Sequence, residues 1–433
     1  MKKIILSAAV AAMALSTSAF AADKGIDIVT TGQAAIYVQT HDDDGATSDT
    51  GLGSQNSSIA NVGLQLNLDA DLKNGFTFGS QLTYLGTAGL EKNIVGGVVQ
   101  SANTLSGTTT NELALTKIFV AKQIANTTLK IGRQELPKSL SPFAYSESWR
   151  VFKNTFDAAI AINTDIPDTV LVGAYVSGGT GSGELGTTGN LTVIGDGVGA
   201  LLVDGTAYML TAQNKSIPMA TVTASYYDLD DIDGIGLDGT VMWLDAMIAS
   251  KDLPMGLKVG LQGGMISPDD AGTVAAGGTD DTTAMGVKVG LAPVDGLNLC
   301  LAYTTVDGND NKVNVAIKNT TGVKSPLYTQ MLLNQDAIAL DADTIMAKAA
   351  YNTGDYGTVI AQYSTTSAGK SNLMGSEKDY AEFDLIYKVD VAGVQYFASY
   401  MNRNVDAGGT MGVQAAGDAE SDNVVRFWAR YNF

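Results

Sequence analysis

The sequence predicts an all-β protein, a transmembrane antiparallel β-barrel of 18 strands with short periplasmic turns and long extracellular loops. Three observations carry that prediction. Apolar and polar residues alternate around the whole chain; no segment beyond the N-terminus is apolar for long enough to be a membrane helix; and the chain ends on an alternating strand that stops at an aromatic residue. The barrel domain is expected to occupy 22–433.

The first segment is a targeting signal by its pattern. Met1-Lys2-Lys3 supplies a positive start, Ile4 to Leu15 an apolar stretch, and Ala19-Phe20-Ala21 a small-x-small cleavage site. Residues 1–21 are therefore expected to be a signal peptide. So short an apolar run cannot cross about 30 Å of hydrocarbon as a helix.

The repeating unit is strand, tight turn, strand, long polar loop, and Val62 to Tyr84 displays it best. Val62, Leu64, Leu66, Leu68 and Ala70 alternate with Gly63, Gln65, Asn67, Asp69 and Asp71. Lys73-Asn74-Gly75 makes the turn, because Asn-Gly favours the positive φ angles of a two-residue hairpin. Phe76, Phe78, Leu82 and Tyr84 resume the alternation.

Seven further turns are expected at 125–127, 165–168, 215–218, 251–254, 293–296, 352–355 and 389–393. Nine longer stretches separate them, at about 41–58, 86–110, 137–152, 178–203, 228–238, 266–281, 307–340, 366–378 and 404–421. One strand before the first loop, eight hairpins and a final strand make 18, with 16 the alternative count. An even number puts both termini on the short-turn side. In the 307–340 loop, Ser325-Pro326 reads as an N-cap and first position of a short helix, which would tuck into the barrel mouth or pack on a neighbouring loop.

The last strand places Val425, Phe427, Ala429, Tyr431 and Phe433 on one face and Arg426, Arg430 and Asn432 on the other. Such an apolar ribbon is an aggregation hazard in water but is required where a barrel wall meets lipid. Phe433, with Tyr431 and Phe427, resembles the terminal signal by which the barrel-assembly machinery recognises outer-membrane barrels.

Composition excludes several function classes. The net charge of −19 argues against a nucleic-acid partner. Cys300 stands alone, so no internal disulfide supports the fold. One His and one Cys cannot furnish a zinc or haem ligand set. An outer-membrane hydrolase would need a base beside its nucleophile, and His41, in the acidic first loop, has no serine partner in view. Calcium is the metal to consider. Asp307-Gly308-Asn309-Asp310-Asn311 has suitable oxygens, but Lys318 stands where a hand-type loop needs Glu, and Asp228 to Gly234 lacks the spacing. Solvated acidic loops, with no cofactor, are the expected reading.

Function is then expected to lie in the lumen. A Lys or Arg facing lipid at mid-bilayer costs about 2–4 kcal/mol, which points Lys130, Lys258, Lys288, Lys348, Arg403, Arg426 and Arg430 inward. Asp157, Asp245, Glu382 and Asp384 are the acids expected to face them. Opposed charges across a narrow aqueous passage would orient solutes and bias ion selectivity. Arg133 breaks the pattern, since Leu129 and Ile131 would put it toward lipid; a bulge at Gly132 would turn it to water.

Lys130-Ile131-Gly132-Arg133-Gln134-Glu135-Leu136-Pro137, then Ser141-Pro142 and Trp149-Arg150, resembles the segment after an early strand in the porin D family and in the major outer-membrane porins of Campylobacter-like bacteria. The family's Thr-Pro is here Ser141-Pro142 or Leu136-Pro137. The resemblance implies 18 strands, loops folded into the channel (here around 137–152), a basic ladder on the wall, and trimers for the Campylobacter type. It makes Arg133 a wall residue and Arg150 a residue of the constriction.

The expected protein is a porin of a Gram-negative outer membrane. Small polar solutes and ions would diffuse passively through it, with mild cation preference from the acidic loops. Its partners would be outer-membrane lipid and lipopolysaccharide, and further copies of itself in a homotrimer. A surface-exposed structural barrel or adhesin with little conductance is the alternative. Eighteen strands enclose water unless a loop or plug fills them.

Overall fold

The computed structural model describes residues 26–43, 51–90, 94, 111–148, 151–180, 188–189, 205–230, 238–269, 278–309, 312, 314–320, 324–369, 377–406 and 420–433. Residues 1–21, expected to be a signal peptide, and Arg150 lie outside them. Among them no helix is long and apolar enough to cross a membrane.

Eighteen strands close into one antiparallel barrel. They are β1 (Asp27–Asp43), β2 (Ser58–Lys73), β3 (Phe76–Gly86), β4 (Glu112–Ile124), β5 (Thr127–Gln134) and β6 (Phe156–Asn163). Next come β7 (Thr169–Thr180), β8 (Thr206–Asn214), β9 (Ala220–Asp230), β10 (Gly239–Ala249), β11 (Lys258–Pro268) and β12 (Thr282–Val294). The last six are β13 (Leu297–Asp307), β14 (Ala342–Asn352), β15 (Thr358–Ala368), β16 (Lys378–Val391), β17 (Val394–Val405) and β18 (Glu420–Asn432). A two-residue ribbon at Thr188–Gly189 pairs with the end of β7, outside the wall. Each strand pairs with its sequence neighbours, and β1 closes the ring on β18, from Gln33 opposite Asn432 to Asp43 opposite Asp422. Closure leaves no strand edge unpaired, as a lipid environment demands.

All eight expected turns join hairpins at one rim. The hairpin conformation comes from left-handed residues such as Lys73, Asn74 and Gly75, with φ of 69°, 53° and 76°. Strand boundaries differ from the expected ones by a few residues. His41 is one case: β1 runs past it, so it sits half-buried on the wall, 4.0 Å from Asp422, and not in a free loop.

The period of two sorts the side chains cleanly. Leu210, Met242, Leu244, Leu261, Met285 and Leu301 are each more than half exposed on the outer face. Thr211, Thr304, Thr344, Ser364, Glu382 and Asp384 are buried on the inner face. An outside that greasy with an inside that polar inverts the usual soluble arrangement.

The seam at the termini is close-packed. Gly32 donates its N–H to the Phe433 carbonyl at 2.7 Å and accepts the Phe433 N–H at 3.0 Å. A Cβ at position 32 would run into the Phe433 ring, so glycine is needed there for the terminal aromatic to lie flat on β1.

Two of the long loops, the third (135–155) and the seventh (308–341), leave the wall and reach into the lumen. Phe143 and Ala144 from 135–155, and Val315, Ala316, Ile317, Leu327 and Ile338 from 308–341, form one buried cluster with inner-face residues of β6 to β13. The expected helix at Ser325 is absent: 324–341 is a run of turns and bends. Its Ser325 Oγ does accept the Leu327 N–H at 3.2 Å, as an N-cap would, but it also donates to the Ile317 carbonyl at 2.7 Å. Tertiary bonds to the wall and the other loop hold the segment in turns.

Candidate functional site, the constricted lumen

The two inward loops are clasped to each other. Tyr145 donates its N–H to Asn319 Oδ1 at 2.8 Å while Asn319 Nδ2 donates to the Tyr145 carbonyl at 2.8 Å. The Thr320 N–H bonds the Phe143 carbonyl at 2.7 Å, and Glu147 accepts the Lys324 N–H at 3.1 Å. Lys138 Nζ and the Tyr145 hydroxyl both donate to the Ser325 carbonyl, at 3.2 and 3.3 Å.

The wall then grips this pair from several sides. On β16, Glu382 accepts the consecutive backbone N–H groups of Leu332, Leu333 and Asn334 at 2.8, 2.7 and 2.6 Å. On β10, Asp245 accepts the Tyr328 hydroxyl at 2.6 Å. On β18, Arg430 donates to the Val151 carbonyl at 3.0 Å. Phe152 packs over Gly63, in a cluster with Tyr37, Ile59 and Leu85.

The alternation places Lys130, Lys258, Lys288, Lys348, Arg403, Arg426 and Arg430 on the inner face, with Asp245, Glu382 and Asp384. Wall bases lie over aromatic faces: Lys130 over Phe119 at 3.7 Å, Lys288 over Tyr328 at 3.7 Å and Arg430 over Trp428 at 4.3 Å. Such contacts orient a cation without neutralising it. The acids are engaged differently. Glu382 and Asp245 are occupied by the seventh loop, and Asp384 accepts Gln362 Nε2 at 2.6 Å. Arg426 donates to Gln39 at 3.0 Å, and Arg403 lies 4.0 Å from Asp422.

Arg133 and Asp157 belong elsewhere. The registers of β5 with β4 and with β6 run unbroken through position 133, so Arg133 keeps the outward phase of Leu129 and Ile131. Asp157 is its direct cross-strand partner on the same face. The pair bonds at 3.0 Å (Nε to Oδ1) and 3.3 Å (Nη2 to Oδ2), and Arg133 Nη1 reaches the Leu115 carbonyl at 3.3 Å. Gly132 has a φ of 122°, yet it shifts no register. The pair lies one step nearer the loops than the Ile131–Ala159–Tyr175 row, and the cost of a lipid-facing charge falls toward that rim.

Sequence reasoning missed the third loop's charged anchors. Glu135 bridges Lys117 at 2.6 Å and Lys153 at 2.8 Å. Burial alone would raise the Glu135 carboxyl, but the two lysines hold it below its ordinary value. Lys117 was hidden because simple alternation from Leu115 puts it toward lipid. A bulge opposite Gln81 and Leu82 inserts Thr116 and turns Lys117 inward. Lys138 was hidden because loops have no period. Enclosure, then the charges of Lys324 and Lys288, bring its ammonium down to about 8.

The described residues leave cavities inside the barrel, two of them with charged groups on their walls. One of about 590 Å³ has Lys138, Lys288, Asp245 and Tyr328 on its walls. The other, of about 500 Å³, lies beneath the third loop against β1, β2, β3 and β18. Among the described residues no group of three or more His, Cys, Asp or Glu could hold a metal ion. Part of each acidic segment considered for calcium lies outside them.

No protein-family model matches the chain, and no curated protein matches it. Solved structures do match. OccK8 (OprE) of Pseudomonas aeruginosa aligns with 94% of this chain and 98% of its own at 15% identity and a TM-score of 0.71. OccAB3 of Acinetobacter baumannii aligns with 93% and 99% at 14% identity and 0.68. OccK2 (OpdF) of P. aeruginosa, solved in complex with glucuronate, aligns with 94% and 98% at 13% identity and 0.65. These neighbours are outer-membrane porins, and at such identities the likeness establishes a shared barrel fold.

Proposed function

We propose that the protein is an outer-membrane porin, a water-filled channel through which small hydrophilic solutes and ions diffuse down their own gradients. The observation that carries the reading is the pair of clasped loops inside a closed barrel with an apolar exterior, which narrows the lumen yet leaves polar cavities along it. The porin neighbours and the resemblance of 130–150 to the porin D and Campylobacter-type porins support it. A homotrimer in the outer membrane is part of the same proposal.

Selectivity follows from which charges reach the open lumen. The acidic loops outside favour cations. At the constriction, Glu382, Asp384 and Asp245 are held by protein donors, whereas Lys288 and Lys348 stand along the passage and Lys138 donates to a carbonyl rather than to a carboxylate. The narrowest region dominates selectivity, so anions and carboxylated solutes are the preferred cargo. Glucuronate, bound by the OccK2 neighbour, is of that kind.

Planar bilayers test both levels. Discrete ohmic steps from the purified chain, with a reversal potential of anion sign under a salt gradient, are expected. Electrically silent membranes would favour a structural barrel or adhesin, and cation-sign potentials would return control to the outer loops.

A further inference from the structure

One quadrant of the lumen is built of amides. Asn432 on β18, Gln33 on β1, Gln65 and Asn67 on β2, and Gln81 on β3 occupy adjoining register positions and line the cavity of about 500 Å³. They bond across strands as a ladder. Gln33 Nε2 donates to Asn432 Oδ1 at 2.7 Å, Gln81 Nε2 to Asn67 Oδ1 at 2.8 Å, and Gln65 Nε2 to Gln81 Oε1 at 3.1 Å. Thr116, brought inward by the β4 bulge, donates to Gln81 Oε1 at 2.8 Å and fixes its orientation.

Bonds to neighbours use only part of each amide. An amide offers two donors and an oxygen with two acceptor sites. Among the described residues, the Gln33 and Gln65 side-chain oxygens accept nothing from protein. Adjacent donors and acceptors held rigid on a strand wall match vicinal hydroxyls, each of which donates and accepts. The nearby charges answer one another: Glu135 binds Lys117 and Lys153, and Arg430 holds the Val151 carbonyl. The volume falls within the range of about 300–1,000 Å³ usual for a ligand site.

We infer that this amide-lined cavity is a binding site for an uncharged polyhydroxyl solute, a saccharide, distinct in chemistry from the lysine-lined side of the lumen. The inference rests on the porin reading, because a solute reaches the cavity only through an open lumen.

The test is current block in planar bilayers by maltose, with a polyethylene glycol of equal hydrodynamic size as control. Saturable block by maltose and none by the polymer is expected. The Gln65→Leu/Gln81→Leu variant, which removes at least two hydrogen bonds, should weaken that block about tenfold. Gln33→Ala, on a half-buried side chain at the cavity mouth, asks the same question should the double variant fail to insert. Maltose block equal to that of the polymer, or untouched in a variant that conducts, overturns the saccharide site and leaves the porin standing. Absence of any conductance removes both.

Discussion

The carboxylate of Glu382, on β16, accepts the backbone N–H of Asn334 at 2.6 Å, and it holds Leu332 and Leu333 in the same grip. A wall residue thus fixes the tip of the seventh loop through main-chain atoms. Side-chain identity along the tip can vary without loosening it. Each such hydrogen bond to Glu382 contributes about 0.5–1.5 kcal/mol. Glu382→Gln keeps one oxygen for Leu332 and Leu333 but turns an NH2 toward the Asn334 N–H. It should loosen the tip at Asn334, raise single-channel conductance and open-channel noise, and lower the melting temperature by a few degrees. Unaltered traces would show that the clasp to the third loop suffices alone.

Arg133 and Arg430 should behave oppositely although both are wall arginines. Arg133→Ala removes an outer-face pair and leaves Asp157 without that partner, so stability should fall while the reversal potential does not move. Arg430→Ala removes a lumen charge and its hold on Val151, so the potential should shift toward cations. Equal shifts would contradict the outward placement of Arg133.

Lys138 should make selectivity depend on pH. Its ammonium is held down to about 8 against an ordinary 10.5, so anion preference should fall as pH rises from 7 to 9.5, and Lys138→Met should abolish that inflection. The stability sign follows from the same shift. Between about 8 and 10.5 the unfolded chain binds the proton that the folded one has released, so this group's contribution increases with pH across that window. Reversal potentials and thermal melts at stepped pH check the two halves.

Gly32→Val should disturb closure of the barrel. The added side chain would displace Phe433 from β1 and strain the paired bonds at the seam. A smaller folded fraction by heat-modifiable gel mobility is expected, with normal conductance from those molecules that do insert.

The barrel was legible because lipid outside and water inside impose a period of two on every spanning strand, and turns such as Asn74-Gly75 mark each reversal. The same rule located Lys288, Lys348 and Arg426 on the inner face. It misplaced Arg133, where the argument from charge was allowed to override an unbroken alternation; a partner at Asp157 and a position near the loop rim make the outward site tolerable. It could not find Lys117, because one inserted residue at Thr116 inverts the phase beyond it. Nor could it read the loop at Ser325, whose local helix signal yields to bonds with Glu382, Asp245 and Tyr145. Long-range contacts of that kind leave no periodic trace.

The reciprocal bonds between Asn319 and Tyr145 tie two stretches of chain that lie far apart in sequence. The third loop offers main-chain atoms at Phe143 and Tyr145, so its side chains there can change, whereas Asn319 and Glu147 hold the clasp through their side chains and cannot. Related channels should therefore diversify their apertures through the side chains at 143–145 while the asparagine that grips that backbone stays fixed.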